Sequence, residues 1–133
     1  MPNKTPIQNR QDIELLVDEF YKKVRTDDVI GHIFNEVADV NWEKHMPVMY
    51  SFWESMLLDV MSYKGNAMTP HIALSKKTPM TQEHFTRWKK LFFETLDEYF
   101  IGDKVDEAKK RADNMEALML YKIEQSKNSN FIQ

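Results

Sequence analysis

The 133-residue chain is about the length of one domain, and its 42% hydrophobic content is that of a globular protein rather than a disordered one. Its net charge of −3 and the lack of any long basic run give no electrostatic support for binding to nucleic acid or to an anionic membrane. The absence of cysteine excludes disulfides, thiolate metal sites and cysteine nucleophiles. We expect a cytoplasmic protein, because no signal-peptide core and no membrane-spanning apolar run occurs.

The first predicted helix covers residues 10 to 25, where apolar side chains recur at the i, i+3, i+4, i+7 spacing of one helix face. Asn9 can cap the first turn, and Asp12 places a negative charge at the positive end of the helix dipole. Residues 26 to 28 are expected to end the helix. The predicted buried face consists of Ile13, Leu16, Val17, Phe20, Tyr21 and Val24.

A short apolar piece at residues 29 to 34 precedes the second predicted helix, which runs from about residue 41 to residue 63. Proline is tolerated in the first turn of a helix, so Pro47 predicts that the regular helix begins near Lys44. The apolar face of this helix consists of Trp42, His45, Met49, Phe52, Trp53 and Met56.

Glycine and proline punctuate residues 65 to 80, which are therefore not expected to form one long helix. A third helix, capped by Thr81, is predicted to reach about Phe100, and a fourth to span about residues 104 to 125. The apolar stripe predicted for the third helix consists of Phe85, Trp88, Leu91, Phe92, Thr95, Leu96 and Tyr99. The buried side chains predicted for the fourth are Val105, Ala108, Ala112, Met115, Leu118 and Met119.

Four helices with short links predict an all-α single domain, built as an antiparallel bundle or as a globin-like pairing. The domain is expected to cover residues 1–133, with a core at about 10–125 and a polar tail at 126–133. The irregular residues 65 to 80 distinguish the two architectures. A minimal bundle needs only a tight loop there, whereas a haem protein uses such a segment to bring a ligand to a flat cofactor.

His71 lies in this irregular segment and is the candidate metal ligand. A neutral imidazole binds haem iron well at physiological pH, and Ile72 and Leu74 could pack on a porphyrin face. From the residues alone, a histidine in a surface loop is the commoner interpretation.

Tyr21, His45 and Trp88 lie on predicted apolar faces and carry polar atoms that need hydrogen-bond partners. In an ordinary core those partners are backbone carbonyls. In a haem pocket the same side chains would bind a diatomic ligand, and His45 could swing outward as a gate. The residues alone leave both interpretations open.

Other metal and catalytic motifs do not occur in the sequence. There is no Glu-x-x-His pair of the di-iron carboxylate proteins, and no His-Glu-x-x-His or cysteine ligand of a zinc hydrolase. A phosphate-binding glycine-rich loop and a nucleophile elbow are also missing. His84 falls in the opening turn of a predicted helix, where it is expected to be exposed.

Seven short segments follow one another in unbroken order over roughly residues 10 to 122, and they are residues 20–25, 30–35, 42–45, 52–58, 63–66, 70–74 and 83–92. Together these segments resemble the group III truncated haemoglobins. Asp59 departs from the family pattern, which has glycine there, and Ala67 stands where proline is common.

This resemblance implies a two-on-two helical sandwich around one haem b. It implies that His71, and not His84, is the proximal iron ligand, and that Tyr21, His45 and Trp88 are the distal polar residues. The residues implied to line the haem pocket are Phe34, Met49, Phe52, Tyr63, Leu74 and Phe92.

We therefore predict a haem-binding truncated globin that binds dioxygen and other diatomic ligands. Nitric-oxide detoxification, supported by an unidentified reductase, and peroxide handling are the enzymatic activities that the resemblance suggests. The alternative is a cofactor-free helical module that binds a partner or an apolar small ligand. Fold transfers within such a family more readily than physiological function.

Overall fold

The computed structural model describes residues 4–33, 42–60 and 81–127, with side chains up to residue 124. Four long helices make up most of this part of the chain, which confirms the all-α prediction. The helices are α1 (Arg10–Arg25), α2 (Trp42–Leu58), α3 (Gln82–Tyr99) and α4 (Asp103–Lys127).

The most extensive contacts between helices are those of α1 with α2 and with α3. The other contacts join α3 to α4 and α2 to α4. Every apolar side chain of the predicted α1 face is buried. Asn9 caps the helix as predicted, since its side-chain oxygen accepts a hydrogen bond from the backbone N–H of Asp12 at 3.0 Å.

The helix α2 begins by Trp42, before the predicted start at Lys44, so that Pro47 lies inside the helix and removes one backbone hydrogen bond. It ends at Leu58, short of the predicted residue 63. The reason is Asp59, whose φ of 57° is left-handed and cannot continue a right-handed helix. Glycine adopts this conformation without strain, which accounts for the family's preference at this position.

The helix α3 begins after Thr81, as predicted. The Nδ1 atom of His84 accepts a hydrogen bond from the backbone N–H of Thr81 at 3.2 Å, so this histidine closes the first turn of its own helix. The sequence predicts an exposed His84, whereas the structure shows it half-buried. Its ring is used in capping the helix.

One side chain of α4 contradicts the predicted core. Leu118 is 50% exposed, and the buried face is continued instead by Met119 and Ile123. The reason is helical geometry, because Leu118 is rotated by about 100° from Met119 on a helix of 3.6 residues per turn. The helix also extends to Lys127, into the predicted polar tail.

The residues before α1 belong to the packed structure, although the predicted core starts at residue 10. The backbone N–H of Ile101 donates to the carbonyl of Thr5 at 3.1 Å, which ties this segment to the turn between α3 and α4. Ile7 is only 2% exposed. Among the described residues, no helix is both long and apolar enough to cross a membrane.

Candidate functional site

Aromatic rings from α1 and from the start of α2 meet at one end of this helix pair. The ring centroids of Tyr21 and His45 lie 5.4 Å apart, with the rings nearly perpendicular at 82°. Trp42 contacts both rings, at 5.4 Å from Tyr21 and 5.6 Å from His45. The structure therefore brings together two of the predicted distal residues and adds Trp42, which lies one helical turn before His45.

Trp88 reaches these rings from α3 through Phe20. The ring of Phe20 lies 4.8 Å from Tyr21 and 5.4 Å from Trp88. Trp88 in turn stacks on Phe92 at 5.4 Å, and Phe92 stacks on Trp53 at 4.7 Å. We call Phe20, Tyr21, Trp42, His45 and Trp88 the aromatic cluster.

Burial controls the ionisation of Tyr21. Its side chain is 6% exposed, and the loss of solvation raises the pKa of the phenol well above its ordinary value. A phenol is already protonated at physiological pH, and burial extends that range to more alkaline pH, so the hydroxyl can donate a hydrogen bond. The Nε2 atom of His45 is buried as well.

The predicted haem-lining residues that the structure describes all belong to the packed interior. Phe52 and Phe92 are buried, at 8% and 0% exposure, and the half-buried Met49 packs against the core. The remaining predicted site residues lie outside the described residues, and they are Phe34, Tyr63, His71 and Leu74.

Acidic and basic residues that the sequence does not mark as site residues flank the aromatic cluster. The guanidinium carbon of Arg25 lies 4.8 Å from the centroid of the Trp42 ring, a cation–π contact. Arg87, the residue before Trp88, binds Asp27 through Nη2 and Nε, at 2.6 and 2.7 Å from Oδ1. Helical periodicity cannot predict this pair, because its members are 60 positions apart in the chain.

The carboxyl of Asp27 is charged although it is nearly buried. Burial alone would raise its pKa, but hydrogen bonds from Arg87 and from the backbone N–H groups of Ile30 and Val29 outweigh this effect. The pKa of Asp27 is therefore held below its ordinary range. The charge on this carboxylate keeps the ion pair intact at neutral pH.

The opposite end of the α1–α2 contact is polar. Arg10 binds Glu54 at 2.8 Å and Ser51 at 3.3 Å, and the Tyr50 hydroxyl donates a hydrogen bond to the Asp18 carboxylate. We call Arg10, Asp18, Tyr50, Ser51 and Glu54 the polar cluster. Its hydrogen bonds join α1 to α2 directly.

Comparison with known proteins decides the family. No protein-family model matches the chain. A group 3 truncated haemoglobin of Campylobacter jejuni is 38% identical over 92 residues, which make up 67% of this chain and 70% of that protein. The crystal structure of a group III truncated haemoglobin from Campylobacter jejuni superimposes with a TM-score of 0.77 at 29% identity, covering 92% of this chain and 95% of that one. This chain is a group III truncated haemoglobin.

The truncated globin fold and the family predicted from the sequence are thereby confirmed. Membership of the globin family implies a haem site, and the chemistry of the aromatic cluster fits one. Flat aromatic rings provide apolar walls for a porphyrin, and a protonated phenol, an imidazole and an indole provide donors for a small ligand. Within the described residues, no group of three or more His, Cys, Asp or Glu side chains forms an alternative metal site.

Proposed function

We propose that this truncated haemoglobin binds haem b through His71 and takes up dioxygen and other diatomic ligands beside Tyr21, His45 and Trp88. The observation that carries the proposal is the buried, protonated Tyr21 in ring contact with His45, in a chain of the globin family. A phenol placed there can donate to a ligand but cannot lose its proton to water at physiological pH.

His71 would hold the haem in this proposal, and the haem would supply an iron atom able to bind a diatomic ligand. We assign the proximal position to His71 on the resemblance of residues 70–74 to the family. The use of the Nδ1 atom of His84 in capping α3 supports this choice.

Tyr21 is the principal donor in this proposal. A hydrogen bond to an acceptor that carries charge contributes about 1.5–3 kcal/mol, and it is stronger where water is excluded. The position of Tyr21 among rings excludes water, so its hydroxyl dipole is not screened. Trp88 carries an indole N–H, which can only donate, and it provides a second hydrogen bond.

His45 is proposed to control ligand access. It lies near the start of the described part of α2, two residues before Pro47, whose missing backbone N–H makes this part of the helix easier to loosen than the rest. Movement of His45 away from Tyr21 would open the aromatic cluster, and its return would close it.

Dioxygen binding is the activity that these donors support directly. Nitric-oxide detoxification and peroxide handling would use the same pocket, and both would also need electrons from outside the chain, for which we propose an unidentified reductase. Fold alone does not select among these reactions.

A haemin titration of the purified chain tests the proposal. We expect a haem absorption band that grows to one haem per chain and survives dialysis, followed by reversible dioxygen binding after reduction. A cofactor-free helical module would instead lose the haem absorption band completely on dialysis. The second result would overturn the proposal.

A further inference from the structure

The carboxylate of Asp27 joins the turn after α1 to α3, the helix that carries Trp88 of the aromatic cluster. Its Oδ2 atom accepts hydrogen bonds from the backbone N–H groups of Val29 and Ile30, at 2.9 and 3.0 Å, and so shapes the turn after α1. Its Oδ1 atom binds Arg87 on α3. One side chain thus ties the end of α1 and the following turn to the helix that carries Trp88.

The turn that Asp27 shapes is tightly packed. The backbone N–H of Gly31 donates to the Asp27 carbonyl at 3.0 Å. A Cβ atom on Gly31 would lie 3.1 Å from the carbonyl oxygens of Val24 and Arg25. The turn that Asp27 shapes therefore lies close against the last residues of α1.

The pair between Asp27 and Arg87 differs from the ion pairs that Lys23 of α1 makes with α3. Lys23 binds Glu94 and Glu98, whose side chains are 45% and 50% exposed, and exposed ion pairs contribute little. The Asp27 side chain is 2% exposed, and two nitrogens of the Arg87 fork hold the same oxygen. A buried carboxylate held in this way has a fixed geometry.

The ion pair of Arg87 constrains the backbone next to Trp88, which follows Arg87 in the chain. The indole of Trp88 lies edge-on to Phe20, with an interplanar angle of 89°, and stacks on Phe92. Ring contacts of this kind tolerate sliding more readily than a forked ion pair does, because they lack directional hydrogen bonds. The ion pair therefore adds a directional contact to α3 beside Trp88.

We propose that Asp27 is a positioning residue, which holds the Trp88 indole against Phe20 through Arg87 and thereby slows ligand dissociation. The effect on dissociation rests on the proposed function, because it requires Trp88 to donate to a bound ligand. The placement of the indole does not rest on that function, and the two parts can be measured separately.

The placement is tested by the indole N–H signals of the protein labelled with ¹⁵N-tryptophan, recorded in the ferrous carbon monoxide form. The signal lost in Trp88→Phe identifies Trp88. We expect Asp27→Asn to shift this signal and Arg87→Lys to shift it less, because lysine keeps the charge but loses the fork. Lys23→Gln, the control, removes the exposed pairs of the same interface and should leave the signal in place.

The effect on ligand binding is tested by a double-mutant cycle. Asp27→Asn should raise the dioxygen dissociation rate in the wild type, and this increase should be smaller by about fivefold in the Trp88→Phe background, a coupling of about 1 kcal/mol. A merely structural role would change the rate by the same factor in both backgrounds. That result would overturn the proposal, as would an unchanged Trp88 signal in Asp27→Asn.

Failure of the proposed function gives a different pattern. If the chain takes up no haem, or if Trp88→Phe leaves dioxygen dissociation unchanged, then Trp88 is not a ligand donor. The indole signal, recorded on the protein as purified, still decides whether Asp27 positions the ring. If Asp27→Asn does not fold, the shift in Arg87→Lys relative to Lys23→Gln decides the same question.

Discussion

The aromatic and polar clusters of the α1–α2 contact carry a tyrosine each, but in different surroundings. In the aromatic cluster, burial raises the pKa of Tyr21. In the polar cluster, the pKa of Tyr50 is raised to about 12 by burial and by its hydrogen bond to the Asp18 carboxylate. Tyr50 uses its hydroxyl to join two helices, whereas Tyr21 is proposed to use its hydroxyl on a ligand.

In this helix pair, one set of residues links the two helices and another set is proposed to bind the ligand. The polar cluster links α1 to α2 through charges and hydrogen bonds that do not require a cofactor. The aromatic cluster places the Tyr21 phenol among rings, where burial strengthens a hydrogen bond that it donates. Substitutions in the two clusters should therefore affect different measurements.

The largest effect is expected from Tyr21→Phe. Loss of the phenol removes the principal proposed donor, and a loss of about 1.4 kcal/mol corresponds to a factor of ten. We expect the dioxygen dissociation rate, measured by stopped flow, to rise about tenfold or more. An unchanged rate would transfer the role of principal donor to Trp88.

A smaller effect is expected from His45→Leu. Carbon monoxide accepts only weak hydrogen bonds, so its binding reports access more than anchoring. We expect the carbon monoxide association rate, measured by flash photolysis, to change more than its dissociation rate. A large change in dissociation at constant association would mean that His45 holds the ligand and does not control its access.

The smallest effect on ligand binding is expected from Tyr50→Phe, the matched control for Tyr21→Phe. Loss of its hydrogen bond to Asp18 should lower the free energy of unfolding by about 0.5–1.5 kcal/mol, as measured in denaturant. The dioxygen dissociation rate should not change. Faster dioxygen dissociation in Tyr50→Phe would contradict the proposal that the polar cluster affects stability and not ligand binding.

Helical periodicity was sufficient to predict most of the fold. The repeat of apolar residues predicts α1 from residue 10 to residue 25, and the structure has a helix at Arg10–Arg25. The end of α2 could not be predicted in this way, because it depends on the left-handed backbone of Asp59. The exposure of Leu118 depends on how α4 packs, which a stripe of apolar residues defines only to within one position.

The candidate site was predictable in part. The polar atoms of Tyr21 and His45 on apolar faces predict that both need partners, and the structure places their rings in contact. The pair of Asp27 and Arg87 could not be predicted, because it forms only when two distant segments are brought together by the fold. The roles assigned to His71 and to Trp88 remain predictions.

The most direct test of the account is the absorption spectrum of haem-loaded His71→Gly beside that of His84→Ala. The account predicts that His71→Gly loses stable haem binding and regains part of it with free imidazole, which can occupy the vacated position. His84→Ala should keep the wild-type spectrum, since that ring caps α3. An unchanged spectrum in His71→Gly, together with loss of haem in His84→Ala, would contradict the account.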